Sequence, residues 1–255
     1  MSPADGLGRA PVGEMPGGSV SQPMSTATTT EPLVRESSTW QSYLGRAGIA
    51  YVVTRIFVVA GAAIVAAQEV AEANRTGGVR PKNAVGLITQ VLTSWDGRWY
   101  YEIVRHGYPA VVPPHVTYDM PEARAAFFPA YPLLVRAANV VLPGGDVLAG
   151  IVLNVVLGAL AVYLVGLLTR ELFDQRTAYR AMLLFVFFPG SVALSLTYSE
   201  ATLIVAAAAC LLMLLRRHWV LAGLLASVGS ACRPNGIALC FACLVATVIA
   251  VRERR

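Results

Sequence analysis

Six apolar runs, at residues 47–71, 146–169, 181–197, 201–215, 219–232 and 237–251, are separated by short clusters of charge. A helix needs about 20 apolar residues to cross a hydrocarbon core about 30 Å thick. Several of these runs are shorter, so their helices take in neighbouring polar residues. The pattern predicts an all-α polytopic membrane helix bundle with about six spans. A further run, 127–142, holds 16 residues, which at 1.5 Å per residue reach only about 24 Å. It carries Pro129, Pro132, Arg136 and Asn139, and is expected to lie in the interface with its polar face toward water. Residues 72–145 are too polar and too Pro-interrupted to cross. They are read as an external first loop carrying interfacial helices. Residues 1–38 are rich in Gly, Pro, Ser and Thr and cannot bury enough surface to order themselves. Residues 1–46 are therefore expected to form a flexible cytoplasmic tail, and 47–255 the membrane domain. No short apolar segment with a cleavage site precedes the first run, so that run reads as an uncleaved anchor.

Composition agrees with this class. The chain is 56% hydrophobic and 14% charged, with a mean hydropathy of +0.58, whereas a soluble domain is about 45–50% apolar. A water-soluble globule and a disordered chain are both excluded. The net charge of +5 comes from 19 arginines and the single lysine Lys82. The arginines sit at the ends of apolar runs, as topology signals rather than a nucleic-acid patch. Arg9, Arg35 and Arg46 place the N-terminus in the cytoplasm, and Arg170, Arg176, Arg180, Arg216, Arg217, Arg252, Arg254 and Arg255 then fall on that same side. Both termini are expected inside. Abundant Ala and Arg with one lysine point to a bacterial plasma membrane. Cys210, Cys232, Cys240 and Cys243 lie in apolar segments, where thiols act as small hydrophobes; neither a disulfide framework nor a zinc site is expected.

Candidate chemistry gathers at the external side. Asp96 stands between indoles in Trp95-Asp96-Gly97-Arg98-Trp99, followed by His106-Gly107-Tyr108-Pro109. Apolar rings beside an acid raise its pKa and exclude water, as a general base requires; the other reading makes Asp96 a helix cap. Phe127-Phe128-Pro129-Ala130-Tyr131-Pro132 reads as a pocket wall or as the start of the interfacial helix. Thr197-Tyr198-Ser199-Glu200 ends one run with a carboxylate. Glu200 either positions a substrate hydroxyl or serves the dipole of the next helix. Arg233, before Pro234-Asn235-Gly236, is the one arginine of the later hairpins that falls outside. Its guanidinium suits a phosphate or snorkels to a headgroup. Arg55 lies inside the first span, where a charge needs a partner; Glu69, Glu200 and a lipid phosphate are the alternatives.

Together W-D-G-R-W-Y-Y (95–101), H-G-Y-P (106–109), A-F-F-P-A-Y-P-L-L-V-R (126–136), F-P-G-S (188–191), T-Y-S-E (197–200) and R-P-N-G (233–236) resemble the PIG-V family. These are the GPI mannosyltransferase 2 type enzymes and their bacterial relatives. The resemblance covers residues 45–240, the N-terminal half of a family member, since those are typically much longer with further spans. It implies a GT-C fold and inverting transfer of mannose from a polyprenyl phosphomannose to an acceptor hydroxyl, outside the cytoplasm. Asp96 would be the catalytic base. Trp95, Arg98, His106, Tyr198, Glu200, Arg233 and Asn235 would bind substrate, with Arg233 facing the lipid phosphate. Neither metal nor cofactor is implied, there being no D-x-D motif in the loop. The expected partners are the bilayer, the lipid donor, a glycan, glycolipid or protein acceptor, and a possible partner subunit. The rival classes are a non-catalytic or truncated GT-C-like subunit, for which Asp96 would be dispensable, and a small transporter, which would favour inverted repeats.

Overall fold

A computed structural model describes residues 30–77 and 84–253. Among these the chain is all helix and turn. Helix α1 spans Thr30–Thr76, α2 Ala84–Leu92, α3 Asp96–His106, α4 Ala130–Val141, α5 Gly145–Leu172, α6 Gln175–Phe187, α7 Glu200–Leu215, α8 Trp219–Ser230 and α9 Ala238–Glu253. Three 3₁₀ turns, Pro121–Ala126, Pro189–Leu194 and Pro234–Ile237, each begin at a proline, whose fixed φ and missing N–H suit a first turn.

Five of the six expected apolar runs are helical over most of their length, whereas the run 181–197 is broken, α6 ending at Phe187 and giving way to the 3₁₀ turn Pro189–Leu194 and then to turn residues. Thr39–Thr76, Gly145–Leu172 and Pro234–Glu253 are long and apolar enough to cross a bilayer by themselves. The other runs give shorter helices. The 16 residues of α7 rise about 24 Å and the 12 of α8 about 18 Å, so α7 and α8 do not reach through a full core. The run 127–142 becomes α4, with Pro129 as its N-cap.

Residues 30–46, read from composition as part of the tail, are helical. Residues 1–29 lie outside the described residues, but α1 already begins at Thr30. Its Trp40, Leu44, Ala47 and Tyr51 pack with Val162 of α5 and with Ala178, Met182 and Val186 of α6. These α1 positions recur at helical spacing on one face, a periodicity masked by the polar residues between them. Tyr43 also stacks on Tyr179 at 4.6 Å.

Ion pairs define two ends of the bundle. At one end Arg170 lies over Trp40 at 4.9 Å, Glu171 pairs with Arg216 at 2.5 Å, and Arg217 pairs with Glu253 at 3.3 Å. At the other, Arg105 of α3 pairs with Asp146 at the start of α5, and Arg233 with Glu200. Ile49, Ile56 and Phe57 of α1 and Phe241, Leu244 and Val248 of α9 point outward and exposed, as lipid-facing side chains do.

Arg55 is buried where α1 meets the turn Pro189–Leu194. It pairs with neither expected carboxylate. Its guanidinium donates to the Ser191 carbonyl at 2.7 Å, Ser195 Oγ at 2.8 Å and Ser191 Oγ at 3.2 Å, and lies 4.9 Å from the Tyr51 ring centroid. Carbonyl and hydroxyl oxygens of a helix break thus take the role expected of an acid.

Candidate active site

The chain leaves α2 through Thr93 and Ser94 and enters α3 at Trp95, whose φ of 53° is left-handed. That conformation is costly for a bulky residue and turns α3 sharply against the bundle. Asp96 is the first residue of α3, and no side chain caps the helix N-terminus. The capping role therefore does not occupy the Asp96 carboxylate. One turn on, Trp99, Tyr100 and Ile103 form the buried face, at the spacing that stacks side chains on one side of a helix.

Tyr100 carries this face into an aromatic cluster, with ring centroids 5.2 Å from Phe127 and 5.0 Å from Tyr131, both edge-on. Trp99 meets Tyr118 edge-on at 5.5 Å. The two prolines flanking Tyr131 start α4, so the pocket-wall and helix-start readings of 126–132 describe one feature.

Across from α3 runs the segment 195–199, between the turn Pro189–Leu194 and α7. The Thr197 N–H donates to the Leu92 carbonyl at 3.2 Å, and the Tyr198 hydroxyl to the Ser94 carbonyl at 3.4 Å. Ser199 and Tyr100 share a hydrogen bond of 2.7 Å between their hydroxyls. Contact this close requires Gly97, because a Cβ there would stand 2.5 Å from Thr197 Oγ1. Gly236 serves the same purpose at the other wall, where a Cβ would collide with the backbone of Gly229.

Glu200 opens α7, and its Oε1 accepts from Arg233 Nη1. The dipole reading of Glu200 and its reading as a partner in the site are therefore compatible. Arg233 precedes the turn Pro234–Ile237, half-buried, and is bonded rather than snorkelling. Burial works against its charge, but Glu200, Tyr100 and Asp96 outweigh that and hold its pKa above the usual value. Burial pushes Tyr100 up to about 12, partly opposed by the Ser199 hydrogen bond. Tyr198 also rises to about 12, through burial and then the charges of Asp96 and Glu200, while the Asp96 amide lies against its hydroxyl. Both phenols keep their protons at neutral pH. The Asp96 charge acts on Tyr100, Tyr198 and Arg233 alike.

Asp96, Tyr198, Glu200 and Arg233 thus converge from three segments. Other expected residues do not. His106 ends α3, ten residues beyond Asp96, is largely exposed and stands 3.8 Å from Glu102. At 1.5 Å per residue it lies about 15 Å along the helix, too far to line the same site. Arg98 is exposed, its guanidinium 4.3 Å from the Trp99 centroid and 5.4 Å from that of Tyr118. Trp95 and Asn235 are also exposed. Tyr100 and Ser199 were missed as site residues, although each sits beside or one helical turn from an acid that was named. Among the described residues, no three His, Cys, Asp or Glu side chains gather as a metal site.

Comparison with protein families matches residues 128–255 to the family described as dolichyl-phosphate-mannose-protein mannosyltransferase. The chain belongs to this mannosyltransferase family. Its members are membrane glycosyltransferases of GT-C type, in keeping with the helix bundle. No curated protein and no solved structure gives a match. The part matched to the mannosyltransferase family runs from the start of α4 through α9 and contains Tyr198, Ser199, Glu200 and Arg233. Asp96 and the rest of α3 lie N-terminal to it.

Proposed function

We propose that the chain transfers mannose from a polyprenyl phosphomannose to an acceptor hydroxyl with inversion, as the PIG-V enzymes it resembles do, at the end of the bundle that holds Asp96, Glu200 and Arg233. The convergence of an uncapped carboxylate, an acid–guanidinium pair and two un-ionised phenols carries this reading. Asp96 takes the proton of the acceptor hydroxyl as that oxygen attacks the anomeric carbon from the face opposite the phosphate. The new C–O bond forms as the bond from the anomeric carbon to the phosphate oxygen breaks, and the lipid phosphate leaves with the electron pair. Arg233 has guanidinium N–H groups beyond the one given to Glu200, and these stabilise the charge developing on that phosphate.

Among the described residues five buried side-chain polar atoms have no partner within the protein, and two of them, Trp99 Nε1 and Glu200 Oε2, belong to the segments that build the site. Leaving such atoms unsatisfied costs about 1–3 kcal/mol each, a cost that sugar hydroxyls offset on binding. The test is sugar transfer by membranes containing the chain, with polyprenyl phosphomannose or nucleotide-mannose as donor. Transfer from the lipid donor should fall about 10²–10⁴-fold in Asp96→Asn at matched expression. Full activity of that variant, or a preference for the nucleotide donor, refutes the reading.

A further inference from the structure

Asn154 has no part in the chemistry just described, yet it is fully buried beside the site, with the same 0% exposure as Thr197 and Ser199. It lies inside α5. An amide is an unfavourable helix-interior residue, this one leaves its Oδ1 buried without a partner, and its burial is costlier still unless its donors are used. Both are. Nδ2 donates to the Leu196 carbonyl and, at 2.9 Å, to the Tyr198 carbonyl. Because both neighbours are acceptors, the amide nitrogen must face them.

These carbonyls belong to the stretch between the turn Pro189–Leu194 and α7, where helical hydrogen bonding is interrupted. The other side of the same stretch is fixed to the α2–α3 corner through Thr197 to Leu92 and Ser199 to Tyr100. The segment is therefore held between α5 on one side and the Asp96 corner on the other. Its length along the chain is short, so its register decides where Tyr198, Ser199 and Glu200 stand relative to Asp96. Arg55, bonded to Ser191 and Ser195, fixes the preceding turn but not the two carbonyls next to Tyr198.

We infer that Asn154 is a positioning residue for this reaction: its amide clamps the 196–198 backbone so that Tyr198 and Glu200 face Asp96. The inference rests on Asp96 and Glu200 forming the reaction centre. Misplacement of reacting groups by about 1 Å costs about 10²-fold in rate. Asn154→Leu, close in size but without donors, should lower kcat by about 10–10²-fold with the KM for lipid donor changed less than about twofold. Asn154→Asp supplies a signature that general loosening would not. A carboxyl at so buried a site has a raised pKa; protonated, it donates to one carbonyl, and ionised, it repels both. Its activity should approach wild type at low pH and decline toward high pH more steeply than the wild-type profile.

Hydrogen exchange at residues 195–200 in detergent reads the clamp without activity. The Thr197 and Tyr198 amides should exchange at least about tenfold faster in Asn154→Leu, with α5 and α7 unchanged. Wild-type protection in that segment, or a wild-type pH profile for Asn154→Asp, overturns the inference. If Asn154→Leu fails to fold, the profile of Asn154→Asp decides. Full activity of Asp96→Asn would refute the functional reading instead, and the exchange result would still judge the clamp.

Discussion

At the scale of single residues, the Glu200–Arg233 pair shows how an acid and a base from distant positions divide their roles. Each is about 30% exposed, with side-chain exposures of 31% for Arg233 and 28% for Glu200, so solvent screens the pair and its worth to stability is modest. Its larger effect is on placement. Arg233→Ala should lower kcat/KM for the lipid donor by about 10²-fold, the size of loss seen when a transition-state donor is removed. Arg233→Lys keeps the charge but loses the planar fork, and should lose about tenfold. Glu200→Ala combined with Arg233→Ala should cost less than the product of the two single losses, because residues of one pair do not act independently. Steady-state rates of the four proteins check this. Equal, negligible losses in both arginine variants would return Arg233 to a purely structural ion pair.

At the scale of elements, the site depends on how closely the N-terminus of α3 approaches the turn segment 195–199 before α7. Gly97→Ala tests that approach. In an ordinary helix position the change gains up to about 1 kcal/mol in propensity, whereas here the new methyl stands 2.5 Å from Thr197 Oγ1. Overpacking typically costs about 1–3 kcal/mol. Thermal unfolding in detergent should show a net loss, and adding Thr197→Ala, which removes the obstructing hydroxyl, should recover most of it. Most of the apolar runs and the short helix α4 were legible in the sequence because run length and proline position are local properties. The pairing of Glu200 with Arg233 was not, since both stand at helix boundaries and the sequence does not show which boundaries meet. The same ignorance of which elements meet made Glu69 and Glu200 plausible partners for Arg55, where a 3₁₀ turn supplies oxygens instead. The N-terminal part of α1 was hidden for a different reason. Low-complexity composition upstream set the boundary too late, although Trp40, Leu44 and Ala47 already mark a buried face. His106 was named because it follows the acid in sequence, but helical rise carries it away from the site.

At the scale of the whole molecule, the charge pattern and the packing agree on two ends. Arg170, Arg216 and Arg217 meet Trp40, Glu171 and Glu253 at one, and Asp96, Glu200 and Arg233 lie at the other. The short α7 places Glu200 about 24 Å from its partner end by helical rise, less than the thickness of the hydrocarbon core. If the arginine end lies at the membrane surface, the proposed site would sit below the opposite surface, in reach of a lipid-linked phosphate at the headgroup level. Under the positive-inside rule the arginine end is expected in the cytoplasm, and the proposed site would then face outward. In a background lacking the four native cysteines, single cysteines at Ala110 and Asn235, both exposed, should react with an impermeant maleimide in intact cells. Cysteines at Gln175 and His218, which flank the arginine clusters, should react only after the cells are opened. Labelling at Gln175 and His218 in intact cells would invert the orientation and put the reaction on the cytoplasmic face, where a nucleotide-sugar donor would be available. Labelling at only one of Ala110 and Asn235 would separate the α3 corner from the α8–α9 turn across the membrane, and the pairing of Glu200 with Arg233 could not then serve the same site as Asp96.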